Sequence, residues 1–373
     1  MPVITDVSAT TVTVPLDIET SIAKRAITER HYTLVRVKDD QGHTGTGFCY
    51  GGSLAGHIVT ISVRDLLKPK VLNRDPHHVE AIWEEMFHES LLHGRRGSVM
   101  RAISATDIAI WDLLGHETGL PLYRLLGSYR SETVPAYASG GYFLPGKTTA
   151  DLAKEIESYL EMGFPAVKIK VGRVSVQEDS ERIQACREVL GSDIPLFVDA
   201  NNAWRDAPSA IHAIKRFERF GINWVEEPVF PDDIDASAAI ARAVDVPIAT
   251  GEIEATRWGF QALIKAEAAS IIQPDAAVCG GITEWRRIAG LAAASNIPVA
   301  PHWFADLHVH LVAATPNAAW VEYFTDTSIL NFMKLLESSL EIRNGELVLP
   351  RGTGLCLQWN EEAIERWSRD GWA

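Results

Sequence analysis

Cysteine is scarce and scattered in this chain. Cys49, Cys186, Cys279 and Cys356 share no CxxC spacing, so neither a zinc cluster nor a disulfide framework is indicated. A reducing, cytoplasmic setting is the matching expectation. Basic residues are also in deficit, 35 against 49 acidic ones. The net charge of −14 leaves no broad positive face for a phosphate backbone, which argues against nucleic acid as a partner. Long apolar runs are missing too, and Met1–Leu16 alternates like a strand without the basic and apolar parts of a signal peptide. No membrane contact and no secretion by that route are expected. There is no GxSxG element and no nucleophile paired with a base, so hydrolase chemistry has little support.

What is present is a chain of 373 residues, 46% of them apolar, too long for one simple core. Residues 3–14, 31–38 and 44–50 read as strands, the last two joined by the turn formers Asp39-Asp40-Gln41-Gly42. Helical periodicity follows Asp75-Pro76 and again over 98–115. This suggests an α+β domain over 1–130. From Val134 the pattern turns rhythmic: short Val/Ile/Ala runs at 134–138, 166–170, 195–199, 222–226, 247–251, 270–273, 298–301 and 319–322, most separated by helix-like stretches. Repeated β-α predicts a parallel sheet. Eight units fit a (β/α)8-type barrel over 131–325, an open doubly wound sheet being the alternative. Residues 326–373 read as a return to the first domain.

The residues that close these strands carry the information, because the C-terminal ends of barrel strands converge on one mouth. Asp199, Glu226 and Glu252 end three successive strands. Each alone reads more readily as a helix cap. Together they would repel unless a cation sat among them, and three carboxylates suit a hard divalent ion, Mg2+ first. Alternation puts Lys168 and Lys170 on one face, the barrel interior, where two adjacent ammonium groups would lower each other's proton affinity and free one as a general base. His302 and Asp275 end neighbouring strands, and a carboxylate on one imidazole nitrogen makes an acid/base dyad. Glu322 reads equally as a buried proton donor and as a salt-bridge partner. Asn201 reads as a substrate contact or a turn former. Glu227, next to Glu226, is expected on the opposite face of its strand.

The ordered set of Lys168-Ile-Lys170, Val198-Asp-Ala-Asn-Asn-Ala-Trp204, Trp224-Val-Glu-Glu-Pro228, Gly251-Glu252, the Asp275/His302 pair and Glu322 resembles the enolase superfamily, mandelate racemase subgroup. The resemblance covers most of 134–325, and the flanking parts look like that family's capping domain. It implies Mg2+ on Asp199, Glu226 and Glu252. It also implies Lys170 as base on one face of the substrate, assisted by Lys168, with His302 and Asp275 acting on the other. Asn201 would contact substrate and Glu322 the substrate carboxylate. The implied activity is removal of a proton next to a carboxylate, foremost in dehydration of a sugar acid (aldonate, aldarate or tartrate-like) to a 2-keto-3-deoxy acid. Racemisation of a 2-hydroxy acid is the runner-up, and a noncatalytic sugar-acid or metal-binding protein the alternative of another class. A homo-oligomer is expected. Substrate choice falls to loops 17–31 and 49–55, where Ser21, Lys24, Arg25 and Tyr50 are candidate contacts by position alone and each reads more readily as an ordinary surface residue; Lys24 or Arg25, if inward, would favour a distal carboxylate.

Overall fold

The computed structural model describes residues 1–22 and 25–373, and side-chain burial for all of these except Glu19, Ser21, Ile22 and Arg25. Lys24 therefore lies outside the described residues, as do the side chains of Ser21 and Arg25.

The N-terminal alternation produces a three-stranded antiparallel sheet of β1 (Ile4–Ile22), β2 (Arg25–Asp39) and β3 (Thr44–Tyr50). The segment expected as a loop over 17–31 is instead the far end of the β1–β2 hairpin. Pairing breaks between Pro15 and Thr20 and resumes at Thr20–Ile27. Proline has no N–H to donate, and a shifted register re-aims the strands beyond it. Helix α2 (Ser98–Thr118) packs on the sheet, and α1 (Val79–Ser90) packs on α2. Glycines at positions 45 and 47 of β3 let α2 approach closely, since a Cβ at either would lie about 2.0 Å from an α2 carbonyl oxygen.

The β-α rhythm closes into a ring. Parallel pairing runs from β4 (Thr133–Gly140) through β5 (Val167–Lys170), β6 (Leu196–Asp199), β7 (Trp224–Glu226), β8 (Ile248–Thr250) and β9 (Ile271–Ile272). β10 (Val321–Phe324) pairs with β4, and Val299 bridges Ile272 to Ala318, so the ring has no open edge and the doubly wound alternative falls. The strand expected at 298–301 is reduced to that single bridging residue, because Pro298 and Pro301 flank it and supply no donors.

Interior positions separate into two levels. At the N-terminal end Tyr137, Phe197 and Trp224 form an aromatic floor, with the Phe197 and Trp224 rings stacked at 3.4 Å between centroids. Two residues further along the same strands, on the same face, come Ser139, Asp199 and Glu226. The floor bars water from below, which strengthens every charge interaction above it.

The C-terminal segment first edges β4 with the hairpin β11 (Ile342–Arg343) and β12 (Glu346–Val348), then sends its last helix to the cap sheet. Ser368 bridges Val12, and Ala9 and Ala373 exchange backbone hydrogen bonds.

Candidate active site

Parallel register sets the ionic level. Lys170 pairs across to Asp199 and Asp199 to Glu226, so the three share one rung of the ring. Glu252 sits just past β8, where Gly251 adopts φ +127°. A Cβ there would lie 2.6 Å from the Phe260 ring, so only glycine allows this turn toward the mouth. Asp199, Glu226 and Glu252 each place a carboxylate oxygen within 4.8 Å of the others. Lys168, fully buried, lies 2.7 Å from both Glu226 and Glu322. Lys170 lies 2.5 Å from Asp199. Alternation thus placed both lysines in the interior as expected.

Their charge state differs from the expectation of a neutral amine. Burial pushes the Lys170 pKa down, but Asp199 foremost, with Tyr142 and Glu252, outweighs both burial and the neighbouring Lys168, and the net shift is upward. Lys168 behaves likewise, burial being outweighed by Glu226 and Glu322. Glu322 resolves the other way from a neutral donor. Burial raises its pKa, yet Lys168, His302 and Lys170 bring it down to about 2, and it also accepts a hydrogen bond from the Trp303 N–H at 2.8 Å. Of its two readings the ion pair is the one the geometry supports.

The lysines do not discharge the cluster. Burial, then Asp199, Glu322 and Glu252, push Glu226 up to about 8 against the pull of Lys168. Glu252 Oε2 is buried with no hydrogen bond among the described residues. Glu227 departs from expectation. Its φ of +43° breaks strand alternation, and its buried carboxyl has no hydrogen-bond partner on either oxygen among the described residues. Burial and then Glu252, Asp199 and Glu226 raise its pKa, so its carboxyl feels the charge of the cluster without belonging to it. Crowded hard oxygens of this kind fit a divalent cation.

His302 faces this cluster across the mouth. Asp275 Oδ2 lies 3.1 Å from His302 Nδ1, and Glu252 Oε2 lies 3.4 Å from Nε2. Burial lowers the imidazole pKa, but Glu252, the Asp275 hydrogen bond and Glu322 lift it to about 9, so near neutral pH it is an imidazolium with Nδ1–H donated to Asp275. Asp275 is held in turn by the Ala277 N–H at 2.8 Å. His308 packs beneath with its nitrogens committed to Ala276 N–H and the Trp303 carbonyl, and His310 is equally buried and bonded, as expected for packed histidines.

Lys170, Asn201, Glu252, Asp275 and His302 line one cavity of about 480 Å3 between barrel mouth and cap. That size suits a small organic substrate. Asn201 reaches it from a left-handed turn, φ +43°, whose N–H bonds Asp199. Tyr50 lines it as well. The lining residues that the sequence reading did not single out include Tyr142, whose ring lies 5.4 Å from Lys170 Nζ, and the cap arginines Arg30 and Arg101. Tyr142 follows directly after β4 and could have been sought there. Arg30 lies inside the 17–31 segment to which substrate choice was assigned but was not singled out there, and Arg101, on a helix, carried no signal.

Residues 4–127 match the mandelate racemase / muconate lactonizing enzyme N-terminal domain family, and residues 151–363 the enolase C-terminal domain-like family. An arabinonate dehydratase from Saccharolobus solfataricus is 36% identical over 90% of each chain. A magnesium-bound racemase from Streptomyces coelicolor superposes with a TM-score of 0.92 at 33% identity, covering 98% of this chain and 100% of that one. An L-talarate dehydratase from Polaromonas sp., complexed with Mg and L-glucarate, superposes with a TM-score of 0.91 at 34% identity, covering 100% and 99%. With a closed barrel, a cap over its mouth and both family matches in sequence order, the chain belongs to the enolase superfamily, in its mandelate racemase / muconate lactonizing enzyme group.

Proposed function

We propose that this protein is a Mg2+-dependent sugar acid dehydratase that removes the proton next to a carboxylate and expels the neighbouring hydroxyl, giving a 2-keto-3-deoxy acid. The observation that carries the reading is the placement of Lys170 and the His302–Asp275 dyad on the wall of one cavity, beside a cluster of carboxylates.

Asp199, Glu226 and Glu252 would hold Mg2+. Bound there, the ion supplies charge for a developing enediolate and offsets the carboxylates that now hold Lys170 as an ammonium. Lys170, once neutral, takes the proton from carbon 2, with Lys168 fixing the positions of Glu226 and Glu322. His302, as imidazolium, gives its Nε2 proton to the departing hydroxyl at carbon 3, and Asp275 retains Nδ1–H and the ring orientation. Water leaves and the enol becomes the ketone. Asn201 contacts a substrate hydroxyl. Glu322, ionised and paired with Lys168, braces the site instead of donating a proton.

The relatives named above, two dehydratases acting on sugar acids and one racemase, support dehydration first. A racemase would use the same two proton carriers. We also propose the division into a cap of 1–130, a barrel of 131–325 and a return of 326–373, a cytoplasmic setting in keeping with four free cysteines, and assembly with further copies of the chain. No helix among the described residues is long and apolar enough to cross a membrane. The test is a screen of sugar acids with Mg2+ for 2-keto-3-deoxy products. Inversion at carbon 2 with solvent deuterium incorporation and no loss of water would assign the racemase reading.

A further inference from the structure

Among the described residues that line the cavity, the cap contributes two cations and no acid. Arg30 is only 4% exposed, and its guanidinium is flanked by the Tyr50 and Trp303 rings at 5.3 Å from each centroid. Its Nε donates to the Ile329 carbonyl at 2.9 Å. Arg101 donates to the Tyr50 carbonyl at 2.8 Å. Among the described residues neither has a carboxylate partner, in a chain with 49 acidic residues against 35 basic ones. A buried guanidinium without a counter-charge is costly, and seating one against two aromatic rings that touch each other fixes its direction. The start of α2 adds to this field. Its N-cap is Gly97 at φ +71°, with no side-chain cap, and Gly97 and Ser98 line the same cavity, so the positive end of a 21-residue helix is turned toward it. By contrast, each cation of the barrel wall already has a carboxylate beside it.

We infer that the substrate carries a second anionic group at its far end, and that Arg30 and Arg101, with the start of α2, receive it. The substrate class is then a doubly charged acid, an aldarate or a terminally phosphorylated aldonate, and not a plain aldonate. This rests on the proposed reaction at the near end. Tyr142 stands between the two ends: it is 5% exposed, lies over Lys170 and feels the fields of Lys170 and Arg30, and its hydroxyl has no hydrogen-bond partner among the described residues.

The test compares aldarates with the matching aldonates and 6-phosphoaldonates, in turnover with Mg2+ and in equilibrium binding by calorimetry. A doubly charged acid is expected to exceed its aldonate at least 10-fold in kcat/KM, and the aldarate and phosphoaldonate arms tell the two terminal groups apart. Arg101→Gln, at a half-buried position, and Arg30→Gln should each reduce that advantage by about 10-fold or more, through KM and not kcat, as for loss of a charge-assisted hydrogen bond. Aldonates used or bound as well as their doubly charged counterparts would overturn the inference and leave dehydration standing. Absence of turnover with every acid would overturn the dehydratase reading, and the binding comparison would still decide the inference.

Discussion

The barrel rim and the cap wall face the same cavity and are built on opposite terms. On the rim every cation is matched: Lys168 by Glu226 and Glu322, Lys170 by Asp199, His302 by Asp275 and Glu252. On the cap wall, among the described residues, Arg30 and Arg101 are matched only by carbonyl oxygens and rings. A matched set of charges fixes positions and proton affinities before any substrate arrives, which is what proton transfer requires. An unmatched set stores attraction for a group that has yet to come. In the proposed reading the rim sets the reaction, and the cap selects which acid undergoes it.

Breaking the rim should have the largest effects. Lys170→Ala and His302→Ala are each expected to lower kcat by about 10²–10⁴, the range for lost acid or base groups, and Lys170→Ala should also lose stability because it leaves buried Asp199 without its ammonium partner. Steady-state rates beside a melting curve would check this, and unchanged turnover in both would remove the rim from the chemistry. Lys168→Ala attacks the rim differently. It strands Glu226 and Glu322 in the interior without their counter-charge, and should cost about 3–5 kcal/mol of stability in a urea titration. A loss below about 1 kcal/mol would mean that water reaches the ionic level despite the aromatic floor.

Smaller changes sharpen the contrast. Tyr142→Phe removes one hydroxyl between the two walls and should raise KM roughly 3- to 10-fold with little change in stability, the size expected for one hydrogen bond. The least visible effect concerns how cap and barrel dock. Asp107 of α2 accepts hydrogen bonds from the Thr283 N–H and hydroxyl on the barrel side, and burial pushes its carboxyl up to about 7. The unfolded chain releases this proton near pH 4 while the folded chain keeps it to about pH 7, so the folded state binds more protons in that window and loses stability as pH rises through it. Asp107→Asn should give a flatter dependence of melting temperature on pH between about 4 and 7. A parallel pair of curves would remove Asp107 from that linkage.

The same contrast explains what could be read in the residues alone. Strand ends are periodic, and the register of a parallel barrel turns that period into convergence. Asp199, Glu226, Glu252, Lys170 and His302 were therefore legible before any coordinates. So were the ring of strands and the α+β cap. Charge states were not, because they depend on neighbours brought in by other strands: Lys170 follows Asp199, not Lys168, and Glu322 follows Lys168. Glu227 was misplaced because a positive φ, invisible in a composition pattern, breaks the alternation. The cap arginines were illegible for a related reason. Arg30 lies in the segment expected to choose the substrate, but that segment is strand where a loop was expected, and an arginine in a strand has nothing in its neighbours to mark it.

The central claim is that Lys170 and His302 act in sequence on one substrate within one cavity. The measurement that tests it most directly is deuterium exchange at carbon 2, in D2O, of an acid that the parent enzyme dehydrates. His302→Ala should still exchange that hydrogen while forming little keto acid, since Lys170 continues to remove the proton and the hydroxyl lacks its acid. Lys170→Ala should do neither. Keto acid formed at the parent rate by Lys170→Ala, or loss of exchange in His302→Ala with full exchange in Lys170→Ala, would contradict the assignment.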